Sequence, residues 1–233
     1  MSNPAPITLE QLFRFNRGLP HQLAAITELE ADLMANGYVA AMRRDRPWFN
    51  TWSQDGLQQS VNPLPVPYEY QRDNASGTGY RECFSSSCAM IARFYGKVRN
   101  DDHYNQVRAK YGDSTDASAQ VKALGHLGLE ARFITNGDAS LLEREIDAGR
   151  PVAVGWLHHG PSSRPTGGGH YSVVIGYTKD AFIHNDPNGE ADLVNGGYRT
   201  SAGGKGIAYS RKNWLKRWEV DGPRTGWAVL VHP

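Results

Sequence analysis

Two of the 233 residues are cysteines, Cys83 and Cys88, and the first stands where a polar stretch ending in Glu82 gives way to Ala89-Met90-Ile91-Ala92 and further apolar residues. A helix opening at Cys83 would place about half a positive charge beside its sulfur, which favours the nucleophilic thiolate. Cys88 falls inside the same helix beside Ala89 and Ile91, where a small, inert core thiol is expected. On a helix the two sulfurs' residues lie about 7.5 Å apart along the axis, too far to bridge easily. A thiol acts only with a base, and Gly167-Gly168-Gly169-His170 opens an apolar run through Tyr177. Asp186 closes the next run, in Phe182-Ile183-His184-Asn185-Asp186-Pro187. Neighbouring strands can present His170 and Asp186 side by side, Asp186 holding the ring in one tautomer while His170 takes a proton from Cys83. His21, His103, His126 and His232 have no acidic or glycine-rich context and read as surface or packing residues.

Metal chemistry fits less well. His158, His159, His170, His184 and Asp186 offer N and O ligands, and a catalytic zinc needs three such ligands and an open position. Adjacent His158 and His159 on a strand would point to opposite faces, however. Residues 186–192 carry oxygen side chains at alternate positions, as in part of a calcium loop, but the glycine is misplaced and the distal glutamate missing, so a hydrogen-bonded turn is expected. The reading is no metal and no cofactor. Trp156, Trp214, Trp218 and Trp227, with Gly196, Gly197, Tyr198, Gly203 and Gly204, are candidates to line a shallow groove for a sugar-linked peptide. Trp214 and Trp218 are also spaced as one helix face turned to the core, the preferred reading for those two.

The elements that must position these residues follow an α+β order. Thr8-Leu9-Glu10-Gln11 is a capping box, and two short helices broken at Gly18-Leu19-Pro20 make a helical hairpin over residues 1–42. Residues 43–66 are read as a linker, with Arg43-Arg44-Asp45-Arg46 as a solvated charge run and Pro63, Pro65 and Pro67 enforcing extended chain. Over residues 67–233, helices are expected from Cys83 to Gly96, over 116–124 and over 138–147. Strands are expected over 152–156, 171–177, 181–184 and 227–231. Charge is balanced, 25 Lys+Arg against 24 Asp+Glu, which argues against nucleic acid as a partner. No run approaches the roughly 18 apolar residues of a membrane span, and the N-terminal residues lack a secretory signal pattern, so synthesis in the cytoplasm is expected.

Gln71, Glu82-Cys83, Ser87, Ala89-Met90, Phe94-Tyr95-Gly96, His170 opening a Val/Ile strand and Asp186-Pro187 together resemble the bacteriocin-processing, double-glycine-leader branch of the papain-like cysteine peptidases. The resemblance covers about residues 66–190. It implies a papain-like fold with Cys83 as nucleophile, His170 as general base and acid, Asp186 as its orienter and Gln71 as side-chain donor to the oxyanion. Two features depart from the family pattern: residues 72–80 are inserted between Gln71 and Cys83, and Phe84 replaces a glycine, which would narrow the cleft or alter which residues flank the scissile bond. The free-standing arrangement resembles phage lysis enzymes, so the expected substrate is a peptide of peptidoglycan, reached through a separate phage pore. The alternatives are a catalytically dead binding domain, a leader-peptide-processing protease, or an amidase or transglutaminase-type enzyme on the same triad. With both thiols unpaired, dithiothreitol should leave the thermal midpoint unchanged; a fall on reduction would reveal a disulfide.

Overall fold

The computed structural model describes residues 62–233. The helical hairpin expected over 1–42 and most of the expected linker lie outside the described residues. Five helices, α1 (Cys83–Phe94), α2 (Asp101–Arg108), α3 (Ala117–His126), α4 (Ala139–Asp147) and α5 (Arg211–Trp218), accompany six strands among the described residues. The strands are β1 (Glu130–Gly137), β2 (Val152–Trp156), β3 (His170–Tyr177), β4 (Ala181–Asn185), β5 (Ile207–Ser210) and β6 (Gly226–His232). They form one antiparallel sheet in the order β1-β6-β2-β3-β4-β5. This is the α+β architecture expected.

Local chemistry accounts for the element ends. Asn100, Asp116 and Asp138 cap α2, α3 and α4 by accepting the backbone N–H of His103, Ser118 and Leu141. At the end of α1, Gly96 adopts φ +70°, its N–H donates to the Arg93 carbonyl and that of Lys97 to Ala92, a closure that suits glycine. From Phe84 to Ala92 every residue of α1 is buried, so this helix is a core element packed on β2 and β3. Two of its three buried serines have hydrogen-bond partners, while the Ser87 hydroxyl has none among the described residues. Gln120 donates to Ser85 Oγ at 3.0 Å and Ser86 donates to Asp101 at 3.1 Å.

Residues 62–66 differ from a linker. Leu64 and Val66 are buried in the core. The Leu64 N–H donates to the Ile175 carbonyl, and Asn62 bonds both backbone groups of Tyr177. The prolines do keep this stretch out of helix, but its apolar residues are drawn onto the sheet. α2, β1 and β5 are elements the periodicity did not signal. α2 has a polar sequence, β1 is a largely exposed edge strand and β5 spans four residues.

Trp156, Trp214 and Trp218 are at most 1% exposed, which removes Trp156 from a substrate groove and agrees with the core-facing helix face preferred for Trp214 and Trp218. Trp214 and Trp218 stack on one another with centroids 5.2 Å apart, and Trp214 packs on Phe182 and His184. Large rings on one face of α5 gain more from covering the sheet than from facing water. Trp214→Ala should therefore cost about 3–5 kcal/mol, read as a lowered urea midpoint; a loss under about 1 kcal/mol would contradict this packing.

Candidate active site

Four chain segments converge on one place. Cys83 is the first residue of α1 and half-buried, so its backbone N–H is one of the helix's unsatisfied donors. His170 is the first residue of β3 and Asp186 directly follows β4, its antiparallel neighbour. Gln71 lies on a short 3-10 turn whose backbone N–H donates to the Pro187 carbonyl. Cys83, His170 and Asp186 are thus brought together from the helical and the sheet part, and Gln71 is tied by its backbone to the turn that follows Asp186.

Asp186 has no exposure and His170 is 3% exposed. His170 Nε2 lies 2.8 Å from Asp186 Oδ1, which leaves Nδ1 as the ring nitrogen free to meet Cys83, with which the ring interacts. The same Oδ1 accepts the Asn188 N–H at 3.0 Å, and Oδ2 accepts the Tyr209 hydroxyl at 2.8 Å. Tyr198 adds a longer bond, 3.4 Å from each carboxylate oxygen. The Tyr209 oxygen in turn accepts the Ala191 N–H at 2.9 Å, so its single proton is directed to Asp186. Burial and the Asp186 charge push both phenols far up, keeping them donors. Neither tyrosine was marked in the sequence as a partner of Asp186. Tyr209 carries no local signal because it lies on a short strand far along the chain.

Around His170, the rings of Trp156 and Tyr198 pack edge to face, with centroids 5.3 and 5.5 Å from its own. His158 stands 5.6 Å away. Contrary to the strand expectation, the His158 and His159 rings lie against one another, 3.9 Å between centroids, because β2 ends at Trp156 and they follow it. Burial, then His170, pushes both His158 and His184 down to about 3. These neighbours stay neutral. For His170 itself burial works downward, but Asp186 and the facing Cys83 more than reverse it and carry the ring up to about 10. Positive charge is therefore concentrated on one imidazole.

Gln71 donates from Nε2 to the Gly79 carbonyl at 2.8 Å, while its buried Oε1 has no partner among the described residues. Phe84 does not narrow a cleft. It is 2% exposed and stacks on Tyr171 at 3.6 Å, and Tyr171 covers Gly155, where a Cβ would come within 2.7 Å of its ring. At the start of the 186–192 segment Asp186 accepts the Asn188 N–H in a turn, and at its end Asp192 accepts those of Val194 and Asn195; no cluster suited to a metal ion occurs among the described residues. Cys88 is fully buried and pushed up to about 12 by burial.

Residues 63–223 match the model of the Peptidase_C39 like family, well over half of the chain. The chain belongs to the Peptidase_C39 like family. It is accordingly a cysteine peptidase, a hydrolase of the papain-like kind. A solved C39-like peptidase from Bacillus anthracis is similar at 14% identity over 74% of this chain and 98% of its own, TM-score 0.52, a likeness of fold. The peptidase domain of Streptococcus ComA, a bifunctional ABC transporter of a quorum-sensing pathway, is 23% identical over 72% of this chain and 98% of its own, TM-score 0.48. A double glycine motif protease from an AMS/PCAT transporter, solved with its leader peptide, is 20% identical over 75% and 96%, TM-score 0.48. No curated protein matches the chain.

The raised His170 ring ties stability to pH. A charged imidazole held by Asp186 stabilises the fold fully below the ring's ordinary 6.5, and that contribution is lost as pH rises towards about 10. Urea midpoints of this C39-like peptidase should decline across that interval. Asp186→Asn should flatten the decline while lowering the midpoint at pH 6; an unaltered slope would remove His170–Asp186 as its source.

Proposed function

We propose that this chain hydrolyses peptide bonds through Cys83, His170 and Asp186, with Gln71 stabilising the oxyanion. The observation that carries this reading is the His170 ring, fixed through Nε2 by a water-excluded carboxylate and facing a cysteine at a helix start. Cys83 Sγ adds to the scissile carbonyl carbon, and the developing oxyanion takes hydrogen bonds from the Cys83 backbone N–H and the second Nε2 hydrogen of Gln71. His170 passes its proton to the departing amine, leaving a thioester on Cys83. Water then attacks that thioester while His170 removes its proton, and collapse releases the acid and restores the thiol.

For the substrate, the proposal is the peptide part of peptidoglycan, where small residues flank the scissile bond. Gly167-Gly168-Gly169 leads directly to His170, and a Cβ on Gly168 or Gly197 would meet nothing within 4 Å. Such a lining admits a chain of small residues at close approach. Among Trp156, Trp214, Trp218 and Trp227, only Trp227 is not buried in the core; it packs beside Gly169.

Cys83→Ala should lower turnover by on the order of 10³-fold or more, and iodoacetamide should label Cys83 and spare Cys88. Full activity without Cys83, or labelling confined to Cys88, would overturn the assignment. For the substrate, isolated bacterial sacculi and a generic peptide library including Gly-Gly sequences are incubated with the protein and new termini identified by mass spectrometry. Release of stem peptides without library cleavage supports the cell-wall reading; cleavage confined to the library, after Gly-Gly or elsewhere, refutes it.

A further inference from the structure

The segment between Gln71 and Cys83 is longer than the family pattern leads one to expect, which raises the question of what keeps an oxyanion donor in register with its nucleophile. Residues 72–82 are held by one face of α2. Ala75 N–H donates to Asp102 Oδ1 at 2.9 Å. Asn74, 7% exposed, donates from Nδ2 to the Gln71 carbonyl at 2.6 Å and accepts on Oδ1 from Asn105 Nδ2 at 2.9 Å. Asn105 Oδ1 accepts from Arg108 at 3.1 Å, and Arg108 reaches 3.6 Å from Glu82, the residue before Cys83. Thr78 closes the segment by donating to the other Glu82 oxygen at 2.7 Å. Asp101, Asn105 and Arg108 fall at helical spacing on the buried side of α2.

A continuous chain of buried polar contacts therefore runs from Gln71 through Asn74, Asn105 and Arg108 to Glu82. The loop also folds back on its own origin. Gln71 Nε2 is held by the Gly79 carbonyl, and any side chain on Gly79 would overlap the Gln71 carbonyl oxygen. Fixing one amide hydrogen on Gly79 orients the other, and an oxyanion donor works only at about 2.7–3.1 Å from the developing charge.

We infer that Asn74 is a positioning residue for catalysis, holding Gln71 in register with Cys83 through the Asn105–Arg108–Glu82 chain. This rests on the oxyanion role proposed for Gln71. Asn74 touches no reacting atom and acts through the Gln71 backbone.

The test separates oxyanion stabilisation from thiol activation. Alkylation by iodoacetamide displaces iodide at a saturated carbon and forms no oxyanion, so it needs Cys83 and His170 but not Gln71. Parent, Asn74→Ala, Gln71→Ala and the double variant are compared for turnover of whichever sacculus or library peptide the parent cleaves, and for the rate of Cys83 alkylation. Gln71→Ala should lose about 10²–10³-fold in kcat and Asn74→Ala about 10-fold or more, both with alkylation within about twofold of the parent. The double variant should be no slower than Gln71→Ala, since Asn74 acts through the group already removed. Losses that multiply, or alkylation falling in parallel with kcat, would overturn the positioning role. Should Asn74→Ala not fold, Asn105→Ala, which removes the support from α2 alone, is read the same way. If Gln71→Ala keeps full kcat, the oxyanion assignment fails and takes this inference with it; if Gln71→Ala loses kcat and Asn74→Ala does not, this inference alone fails.

Discussion

The buried contact between Asp186 and His170 is the constraint around which the rest is arranged. Removing a carboxylate from water costs several kcal/mol unless its oxygens are fully bonded. Here His170, the Asn188 amide and the Tyr209 hydroxyl supply the short bonds, and Tyr198 lies within reach of both oxygens. The backbone of Asp186 is held as firmly. Its N–H donates to the Gly204 carbonyl and its carbonyl accepts from Tyr68. Gly204 must lack a side chain, because one would overlap the Asp186 carbonyl oxygen. The excursion between β4 and β5 is thus wrapped onto the carboxylate, and the segment before α1 is pinned to the same turn through Gln71 and Pro187.

The aromatic and imidazole groups around His170 follow from that arrangement. A single charged ring is sustained in a dry place only if its neighbours are neutral, and burial keeps His158 and His184 so. His184 takes part in a file of buried polar groups, with Ser172 Oγ 2.9 Å from its Nδ1 and the Trp156 indole donating to that same oxygen. On the outer side, Arg217, itself buried, donates to the carbonyls of Leu157, His159, Gly160 and Leu193. One guanidinium therefore ties the loop after β2 to the loop after β4. The Cys83 helix is fixed from below by its apolar face on the sheet and by serines bonded to α2 and α3.

Much of this was legible from local pattern. The three helices and four strands read from periodicity reappear with ends shifted by a residue or two, because caps, glycines and apolar runs act within a few residues of chain. The three polar and edge elements escaped because each draws its stability from contacts elsewhere. α2 has only Tyr104 and Val107 as buried apolar residues, yet Asp101, Asp102, Asn105 and Arg108 hydrogen-bond to the segments around it. Trp156 shows the reverse error: without the four-residue spacing that marked Trp214 and Trp218 as a core face, an aromatic residue looks the same in a sequence whether it lines a groove or fills a core.

The sequence by itself determined the kind of reactive groups and the element on which each is carried: a cysteine opening an apolar helix, a histidine opening a strand after three glycines, an Asp-Pro closing the next strand. Those are statements about residues close along the chain, where helix and strand periods and turn chemistry apply. Tertiary structure alone decided that Tyr209 and Tyr198 would face Asp186, that Phe84 would lie beneath Tyr171 rather than at an open cleft, and that α2 would brace the loop between Gln71 and Cys83. Each joins side chains separated by many residues, and their meeting depends on strand register and on how loops close, which no local repeat encodes.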